Sequence, residues 1–362
     1  MPDSSLTSFV ESVNGTSRLR IETDFGDGFV RLQTSEAERR QAIQDIRCTE
    51  DIVLELLRNA RDAHAAHIFL AVSRDEHTRR LVVVDDGEGI PSAMHARIFE
   101  PRVTSKLDTS HLDKWGLHGR GMALYSIAEN AASASIASST PGLGTALAVE
   151  TDLRALGEKT DQSTFPTFEL SESGTVSVRG PRNVLRCACE FAIEARSHCA
   201  VFVGSTTEIA AALYQYGQST LSAVERVFCS DITSLALCKR LATAPDPATL
   251  AAYAKELGLD LSDRSARRIM DGAIEPAEPL LDRIAIAEPA KSGSKGARDA
   301  RQRKAARALH LGEADRAAFV EAIKGSYADL ARSYYLEPDV EPSIHLANGT
   351  LRVSIPLVLR LD

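Results

Sequence analysis

The first half of the chain alternates between stretches with a helical repeat of apolar residues and short runs that are apolar throughout. Residues 51–63 (DIVLELLRNARDA) are of the first kind. Their leucines recur on one helical face, and three polar residues at i, i+4 and i+7 recur on another, namely Glu55, Asn59 and Asp62. The pattern predicts a helix that packs on a sheet and turns these three side chains towards a cleft.

Two apolar runs follow, at residues 67–74 and 80–86, and a short charged segment separates them. They predict a pair of strands joined by a hairpin turn. The second run ends in Asp85 and then in a turn that contains Gly87 and Gly89. A strand that runs into such a turn can deliver a carboxylate to the floor of a pocket, and glycines let a ligand approach the backbone closely.

A third cluster, WGLHGRGMALYSIAENA, places Gly116, Gly119 and Gly121 before an apolar helix that begins near Met122. The first N–H groups of a helix have no intrahelical partner, and they lie at the positive end of its macrodipole. Glycines that open a helix are therefore typical of a phosphate-binding segment.

In their order and spacing, the three clusters resemble the GHKL ATPases, which include DNA gyrase B, the large heat-shock chaperones, histidine kinases and MutL. The resemblance covers about residues 28–152 and is closer to the hydrolysing gyrase-like and MutL-like members. It implies an α+β fold, a two-layer α/β sandwich of the Bergerat type in which helices cover a mixed sheet. It also implies that the domain takes ATP and Mg²⁺.

Position by position, the resemblance implies roles for individual residues. Glu55 would be the catalytic carboxylate that activates water, and Asn59 would bind the magnesium ion. Asp85 would accept from the adenine amino group, Thr145 would support the adenine site from a later strand, and Asp62 falls where the gyrase-like members are acidic. Further nucleotide-binding residues would come from the turn after Asp85, from residues 98–106, which are similar to the segment before the family's lid, and from the glycine-rich cluster, which falls on the lid itself: Gly87, Gly89, Ile90, Thr104, Ser105, Lys106, Gly116, Leu117, His118, Gly119, Arg120, Gly121 and Met122.

Composition limits the classes of function. A net charge of −8 argues against a wholly basic surface that coats nucleic acid, although a local basic patch remains compatible with it. No apolar run is long enough to span a membrane, and residues 1–17 have no signal-peptide core, so we expect a cytoplasmic protein without a membrane partner. Cys187 and Cys189 form C-x-C without a second pair at metal-ligand spacing, which favours buried free thiols.

Changes in composition suggest the domain organisation. A flexible leader (1–27) would precede the ATP-binding domain (28–153), and a polar stretch after it would form a boundary. A second α/β domain would start in 174–219, and a helical segment (220–286) would be inserted in it. A basic linker (287–308) and a C-terminal helix with a β-hairpin (309–362) would follow, with the tight turn of the hairpin at Asn348 and Gly349.

Within the helical segment, residues 249–270 resemble a helix-turn-helix whose second helix carries Arg264, Arg267 and Arg268. An ordinary helical hairpin with a solvated basic face is the alternative. With the linker, this region suggests a weak nucleic-acid contact through residues 249–307. A nucleotide-dependent homodimer and an unidentified protein client also remain open as partners.

Three functions fit these observations. The first is a Mg-dependent ATPase whose nucleotide state drives lid closure and a C-terminal effector region. The second is a protein kinase of the histidine-kinase type, which Glu55, Asp62 and the lack of a long phosphoacceptor hairpin before them disfavour. The third is an ATP-binding switch with little turnover. The lysine that reaches the γ-phosphate cannot be selected by spacing, and Lys106 is the local candidate.

Overall fold

The structure, a computed structural model, describes residues 21–105, 111–113, 116–118, 121–159, 161–170, 176–227, 229, 231–284, 286–287, 313–333, 336–347 and 350–357. The chain divides into two compact units, Met1–Ala287 and Glu288–Asp362.

In chain order, the strands are β1 (Ile21–Gly26), β2 (Phe29–Leu32), β3 (His67–Asp75), β4 (Thr78–Asp85), β5 (Val103–Thr104), β6 (His111–Asp113), β7 (Gly116–His118), β8 (Ser133–Thr140), β9 (Gly144–Asp152), β10 (Thr167–Leu170), β11 (Val176–Arg179), β12 (Ala200–Gly204), β13 (Ile286–Ala287), β14 (Ser343–Ala347) and β15 (Thr350–Ser354). The α-helices are α1 (Glu36–Asp45), α2 (Thr49–Asp62), α3 (Ala123–Asn130), α4 (Val184–Glu194), α5 (Thr206–Thr220), α6 (Ala223–Val227), α7 (Pro247–Glu256), α8 (Asp263–Met270), α9 (Leu280–Arg283) and α10 (Glu313–Ser333). Short 3-10 turns lie at Ser92–Met94, Arg97–Phe99, Ile232–Ser234 and Leu237–Thr243.

A five-stranded mixed sheet, in the order β12-β3-β4-β9-β8, forms the centre of the first unit. β3, β4, β9 and β8 pair antiparallel, and β12 pairs parallel to β3. The β3–β4 hairpin forms as the sequence predicts, with Asp75 opposite Thr78 across its turn. The sheet and the helices on it confirm the α+β sandwich.

One face of the sheet is covered by α2, α3 and α4. Ile52 and Leu57 of α2 are fully buried, and they belong to the same core as Leu70 and Leu81 of the sheet. The polar residues of α2 lie on its other side, as the helical pattern predicts. This arrangement fixes α2 between the sheet and the cavity described below.

The opposite face is also covered, by a layer that the sequence does not predict. Phe69 and Val84 point into this second core, where Ile209 and Leu213 of α5 and Leu250 of α7 join them. Because both faces are buried, β3 and β4 read as continuous apolar runs rather than as alternating ones. The helical segment is thus part of the main fold.

The separate second α/β domain expected from residue 174 onwards is therefore wrong. β12 extends the main sheet, and its residues pair in register with β3, from Ala200 opposite His67 to Gly204 opposite Ala71. Residues 21–287 lie within one compact unit. The physical reason is that β3 is an edge strand without β12, and the apolar run of β12 supplies the missing partner.

The polar stretch that suggested a domain boundary connects α2 to α4. The Glu50 carboxylate, near the start of α2, accepts hydrogen bonds from Lys159 N (3.0 Å) and Gln162 Nε2 (2.6 Å). Gln162 Oε1 in turn accepts from Val184 N, at the start of α4, at 3.1 Å. Polar composition here reflects these hydrogen bonds rather than a linker.

The expected leader also needs a correction. Residues 21–26 form β1, which pairs antiparallel with β2, although the sequence analysis places them in a flexible segment. Asp27 and Gly28 have positive φ angles of 49° and 78° and make the turn between these strands. The sequence DFGDG is suited to such a turn, because glycine and aspartate tolerate this conformation.

In the second unit, the structure describes α10 and the hairpin of β14 and β15. These strands pair from Ser343 opposite Ser354 to Ala347 opposite Thr350, which confirms the hairpin. The turn residues Asn348 and Gly349 lie outside the described residues. Among the described helices of either unit, none combines the length and apolar character that a bilayer crossing requires.

Candidate functional site

A cavity of about 810 Å³ lies against the polar side of α2. Its wall also includes residues of α1, the turn after β4, the segment that leads into β5, and the start of α3. All three elements that the sequence analysis singles out therefore contribute to one cavity. The predicted site residues that line it are Glu55, Asn59, Asp62, Gly89, Ile90, Thr104, Ser105, Gly121 and Met122.

Other predicted residues lie beside the cavity or beyond what the structure describes. Asp85, Gly87 and Thr145 lie next to its wall and do not line it. Gly116, Leu117 and His118 form β7, which pairs with β6, and their side chains are not described. Lys106, Gly119 and Arg120 lie outside the described residues.

Asp85 is held at the end of β4 and is 5% exposed. Its Oδ1 accepts a hydrogen bond from Gly87 N at 2.9 Å, and it lies opposite Thr145 of β9. The Thr145 hydroxyl contacts the Ser139 hydroxyl at 3.0 Å, and Ser139 accepts from Ile90 N at 2.8 Å. This network joins the turn after β4 to β8 and β9, and the hydrogen bond from Gly87 N orients the buried carboxylate.

Two glycines of this turn have no room for a side chain. A Cβ on Gly89 would lie 2.0 Å from the Thr140 carbonyl oxygen, and the φ angle of Gly89 is +71°. A Cβ on Gly87 would lie 2.6 Å from the Ala63 carbonyl oxygen. The turn can therefore pack against the end of α2 and the β8–β9 connection, since close backbone approach requires glycine at both positions.

Glu55 and Asn59, one turn apart on α2, form the polar middle of the cavity wall. Glu55 contacts the guanidinium of Arg58, which is 3% exposed. Asn59 Nδ2 is buried and has no hydrogen-bond partner among the described residues. A buried amide N–H without a partner can donate to an acceptor group of a ligand, and such a contact is favourable because an unmade hydrogen bond of this kind is costly.

The same residue fits a magnesium ion. The described part of the chain contains no group of three or more His, Cys, Asp or Glu side chains that could hold a metal. Mg²⁺ usually binds through one or two protein oxygens, with water and substrate phosphates completing its shell. The Asn59 amide, which can present its oxygen to the cavity when it is rotated, is the residue that would hold this ion.

The start of α3 lies at one end of the cavity. Met122 is the N-cap residue of α3, and its side chain makes no hydrogen bond to the first turn. The first N–H groups of α3 therefore receive no acceptor from a capping side chain. Gly121 (φ +68°) packs closely on the segment before the lid. A Cβ on Gly121 would lie 3.0 Å from Val103 O and 3.1 Å from Thr104 Cβ. Gly121 and residues 103–104 thus lie together beside a helix N-terminus.

The charged residues of the cavity wall that the sequence analysis misses include Glu38, Arg58 and Arg102. Arg58 has a sequence signal, because it lies at i+3 from Glu55 on the polar face of α2. Glu38 and Arg102 contact each other from segments 64 residues apart, and no local pattern indicates this pair. Six carboxylates line the cavity (Glu38, Asp45, Asp51, Glu55, Asp62 and Glu88) with three arginines (Arg47, Arg58 and Arg102).

Asp86, next to Asp85, faces away from the cavity and contacts His67. Its Oδ2 lies 2.7 Å from His67 Nδ1, and its Oδ1 accepts from His67 N at 2.8 Å. Burial raises the pKa of Asp86, but the hydrogen bonds from the His67 side chain and backbone outweigh it, so that the pKa lies below its ordinary value. The ring of Tyr216 on α5 packs against that of His67 at a tilt of 51°, with 4.7 Å between the ring centroids, which connects the second layer to the end of β4.

The six cysteines are free thiols. Cys189 is buried, as the sequence analysis expects, and so are Cys48, Cys199 and Cys238, whereas Cys187 is only partly buried. Burial raises the pKa of Cys187 and of Cys189 to about 12, which keeps both thiols protonated and unreactive.

The chain matches a known family over this part of its length. Residues 44–155 match the family model described as histidine kinase-, DNA gyrase B-, and HSP90-like ATPase. The match includes α2, the turn after β4, the segment before the lid and the start of α3.

Curated relatives match a similar share of the chain. A DNA mismatch repair protein MutL from Lactiplantibacillus plantarum is 37% identical over 99 residues, which are 26% of this chain and 14% of that protein. A DNA mismatch repair protein MutL from Staphylococcus aureus is 34% identical over 99 residues, 26% of this chain and 15% of that protein. The chain thus spans about one seventh of the length of these relatives.

Proposed function

Residues 44–155 form a domain of the GHKL ATPase superfamily, and from this premise we propose that the chain binds ATP in the 810 Å³ cavity and hydrolyses it. One observation carries the proposal. The amide of Asn59, the carboxylate of Glu55 and the uncapped start of α3 border the same cavity. These are the groups that phosphoanhydride hydrolysis requires, namely a metal ligand, a base and donors for phosphate.

Adenine would bind at the end of the cavity near Asp85. An adenine amino group needs an acceptor in an otherwise apolar slot. The Asp85 carboxylate is suited to this role, because it is buried at the end of β4 and is oriented by the hydrogen bond from Gly87 N. The close packing of Gly87 and Gly89 brings backbone to the pocket at the same end.

The phosphate chain would extend along α2 towards α3. When it is bound, Mg²⁺ neutralises part of the phosphate charge, and Asn59 would hold it. A cation is needed there because six carboxylates and three arginines line the cavity, which leaves an excess of negative charge. Turnover measured against Mg²⁺ concentration, with EDTA as the control, tests this requirement.

Glu55 would act as the general base for the attacking water. It lies seven residues before Asp62 on α2, and Asp62 is at the end of the helix near the adenine turn. Glu55 is therefore roughly 10 Å along the helix axis from the adenine end. Its contact with buried Arg58 restricts its rotamers. A base that is held in position loses little entropy on the way to the transition state.

ATP labelled at the γ-phosphate separates this function from its alternatives. An ATPase releases labelled phosphate, a histidine-kinase-like protein transfers the label to protein, and a switch module binds ATP without doing either. We expect release of phosphate that depends on Glu55. Label transferred to a protein histidine would favour the kinase, and bound ATP with no turnover would favour the switch.

We also propose that ATP closes the lid over the cavity and promotes a homodimer. The position of Gly121 against Val103 supports lid closure, because the residues on either side of the lid lie together at the phosphate end of the cavity. Sedimentation with and without a non-hydrolysable ATP analogue tests the dimer. A protein that stays monomeric at all nucleotide concentrations would exclude it.

For the output of the ATPase we propose a weak contact with nucleic acid through residues 249–307. Arg264, Arg267 and Arg268 are exposed on α8, while Ala266 and Ile269 of the same helix are buried in the second core. The relatives are named as DNA mismatch repair proteins, and their matched region lies in the ATPase domain. The basic linker lies outside the described residues. A protein client is the alternative.

A further inference from the structure

Arg102 has an unusual backbone for its residue type. Its φ angle is +55°, in the left-handed region that non-glycine residues seldom occupy. The residue is 6% exposed and lines the cavity. Strained backbone at a buried, charged residue is typical of functional sites, because the surrounding fold must stabilise it.

The guanidinium of Arg102 is incompletely satisfied. Nη2 contacts the carboxylate of Glu38 on α1. Nε is buried and has no hydrogen-bond partner among the described residues. Guanidinium carries five N–H donors in a planar fork, and a buried charge without enough acceptors is costly. The guanidinium therefore has hydrogen-bonding capacity for a second anionic partner.

The position of Arg102 suggests which anion that is. A Cβ on Gly121 would lie 3.2 Å from the backbone carbon of Arg102, so Arg102 lies beside the residues that open α3. The N-terminal end of a helix attracts negative charge through its N–H groups and its dipole. Two sources of positive potential, the guanidinium and the helix terminus, therefore border the same end of the cavity.

This end differs from the adenine end. The turn that follows Asp85 packs on Ala63, just beyond the last residue of α2, where Glu88 N donates to Ala63 O at 2.9 Å. Glu38, in contrast, lies on α1, which is joined to α3 by the hydrogen bond from Asn130 Nδ2 to Ile43 O at 3.0 Å. Arg102 therefore lies on the α1–α3 side of the cavity, away from the adenine turn.

We propose that Arg102 is a phosphate-binding residue of this site and that its guanidinium exchanges the Glu38 carboxylate for the phosphate chain of the nucleotide. The inference rests on the proposed function, because it names a further residue of the same ATP site. Phosphate suits the planar fork of arginine, which can donate two parallel hydrogen bonds to it.

When Arg102 binds phosphate instead, Glu38 keeps other hydrogen-bond partners. Its Oε2 accepts from Ser35 N at 2.9 Å and from Ser35 Oγ at 3.0 Å, in the capping box that begins α1. Glu38 is half-buried, so solvent can also stabilise it when Arg102 leaves. A phosphate chain can thus displace this carboxylate without leaving a buried charge alone.

The test compares binding of ATP and of adenosine by titration calorimetry. Arg102→Ala should weaken ATP binding about 10- to 100-fold, because hydrogen bonds between charged groups are lost, and should leave adenosine affinity unchanged. Arg102→Lys keeps the positive charge but not the planar fork of donors, so it should weaken ATP binding less than Arg102→Ala does. Arg97→Ala is the matched control, since Arg97 is an exposed arginine five residues earlier that packs on Phe25 and does not line the cavity.

Glu38→Gln distinguishes ligand binding from a structural role. Glutamine keeps the capping box and removes the charge that competes with phosphate, so ATP affinity should rise severalfold. If Arg102 merely anchors α1, Glu38→Gln and Arg102→Ala would both lower ATP and adenosine affinity together. That result, or unchanged ATP affinity in Arg102→Ala, would overturn the inference while wild-type binding of ATP still supports the proposed function. A wild-type protein that binds no ATP would overturn both.

Discussion

Glu55 and Arg58 contact each other across one turn of α2, in the wall of the cavity, and Arg58 is almost completely buried. The carboxylate that the family resemblance implies as the base is therefore held by a guanidinium on its own helix. A buried arginine restricts this carboxylate far more than solvent would, which favours a single orientation towards the cavity.

We expect Glu55→Ala to bind ATP but to hydrolyse it about 10²- to 10⁴-fold more slowly, because a general base typically contributes that much. Phosphate release under saturating ATP measures the loss, and calorimetry shows whether binding survives. Glu76→Ala, an exposed carboxylate in the β3–β4 turn, is the control and should hydrolyse normally. Hydrolysis at the parental rate in Glu55→Ala would assign the base to another group.

Asp85→Asn should weaken ATP binding by about 1.5–3 kcal/mol, since the adenine amino group loses a charged acceptor. Asp85 is buried at the end of β4, and its orientation is fixed by Gly87 N. Calorimetry measures the change, with Asp75→Asn at the exposed end of β3 as the control. Equal affinity in wild type and Asp85→Asn would place the adenine elsewhere.

Gly89 and Gly142 provide a matched pair for backbone strain. Both have positive φ angles, +71° and +76°, but a Cβ on Gly89 would clash with Thr140 O at 2.0 Å, whereas Gly142 has nothing within 4 Å. Gly142→Ala should lower the free energy of unfolding by about 1–2 kcal/mol, which is the cost of a left-handed backbone for a residue with a Cβ. Gly89→Ala should cost about 1–3 kcal/mol more, because the backbone must also shift. Denaturant unfolding compares the two, and equal losses would contradict the close packing of the turn.

The Asp86–His67 pair predicts an acid-dependent loss of stability. The pKa of Asp86 is lower in the folded protein than its ordinary value of 3.8, so its contribution is present above that pH and disappears as the pH falls through the folded value. Asp86→Asn should lower the free energy of unfolding at pH 7 by about 1–3 kcal/mol. The difference from wild type should shrink as the pH falls below 3.8 and through the lower pKa of the folded state. A difference that is constant with pH would assign the loss to packing.

Changing Arg264, Arg267 and Arg268 together to Ala should lower the affinity for nucleic acid without changing ATP turnover measured alone. Phosphate contacts through several arginines release counterions, so binding should fall steeply with salt, and the triple variant should show a shallower salt slope. Fluorescence anisotropy with labelled duplex DNA and RNA at low ionic strength measures both. A flat titration of the wild type would exclude nucleic acid and favour a protein client.

Local pattern alone determined a large part of this protein. The i, i+4, i+7 spacing of Glu55, Asn59 and Asp62 predicts the helix face that lines the cavity, because a helix repeats every 3.6 residues. The apolar runs predict the β3–β4 hairpin in the same way. The spacing of Arg58 from Glu55, three residues along the same helix, also indicates that Arg58 lies in the cavity wall.

Tertiary structure alone decided the rest, because the residues concerned are distant in the chain. β12 joins β3, 133 residues away in the Ala200–His67 register, so a segment that looks like the start of a second domain completes the main sheet. The second core over Phe69 and Val84 draws on helices beyond residue 205. Glu38 and Arg102 meet because α1 and the segment before the lid pack together, and no local sequence period relates two positions 64 residues apart.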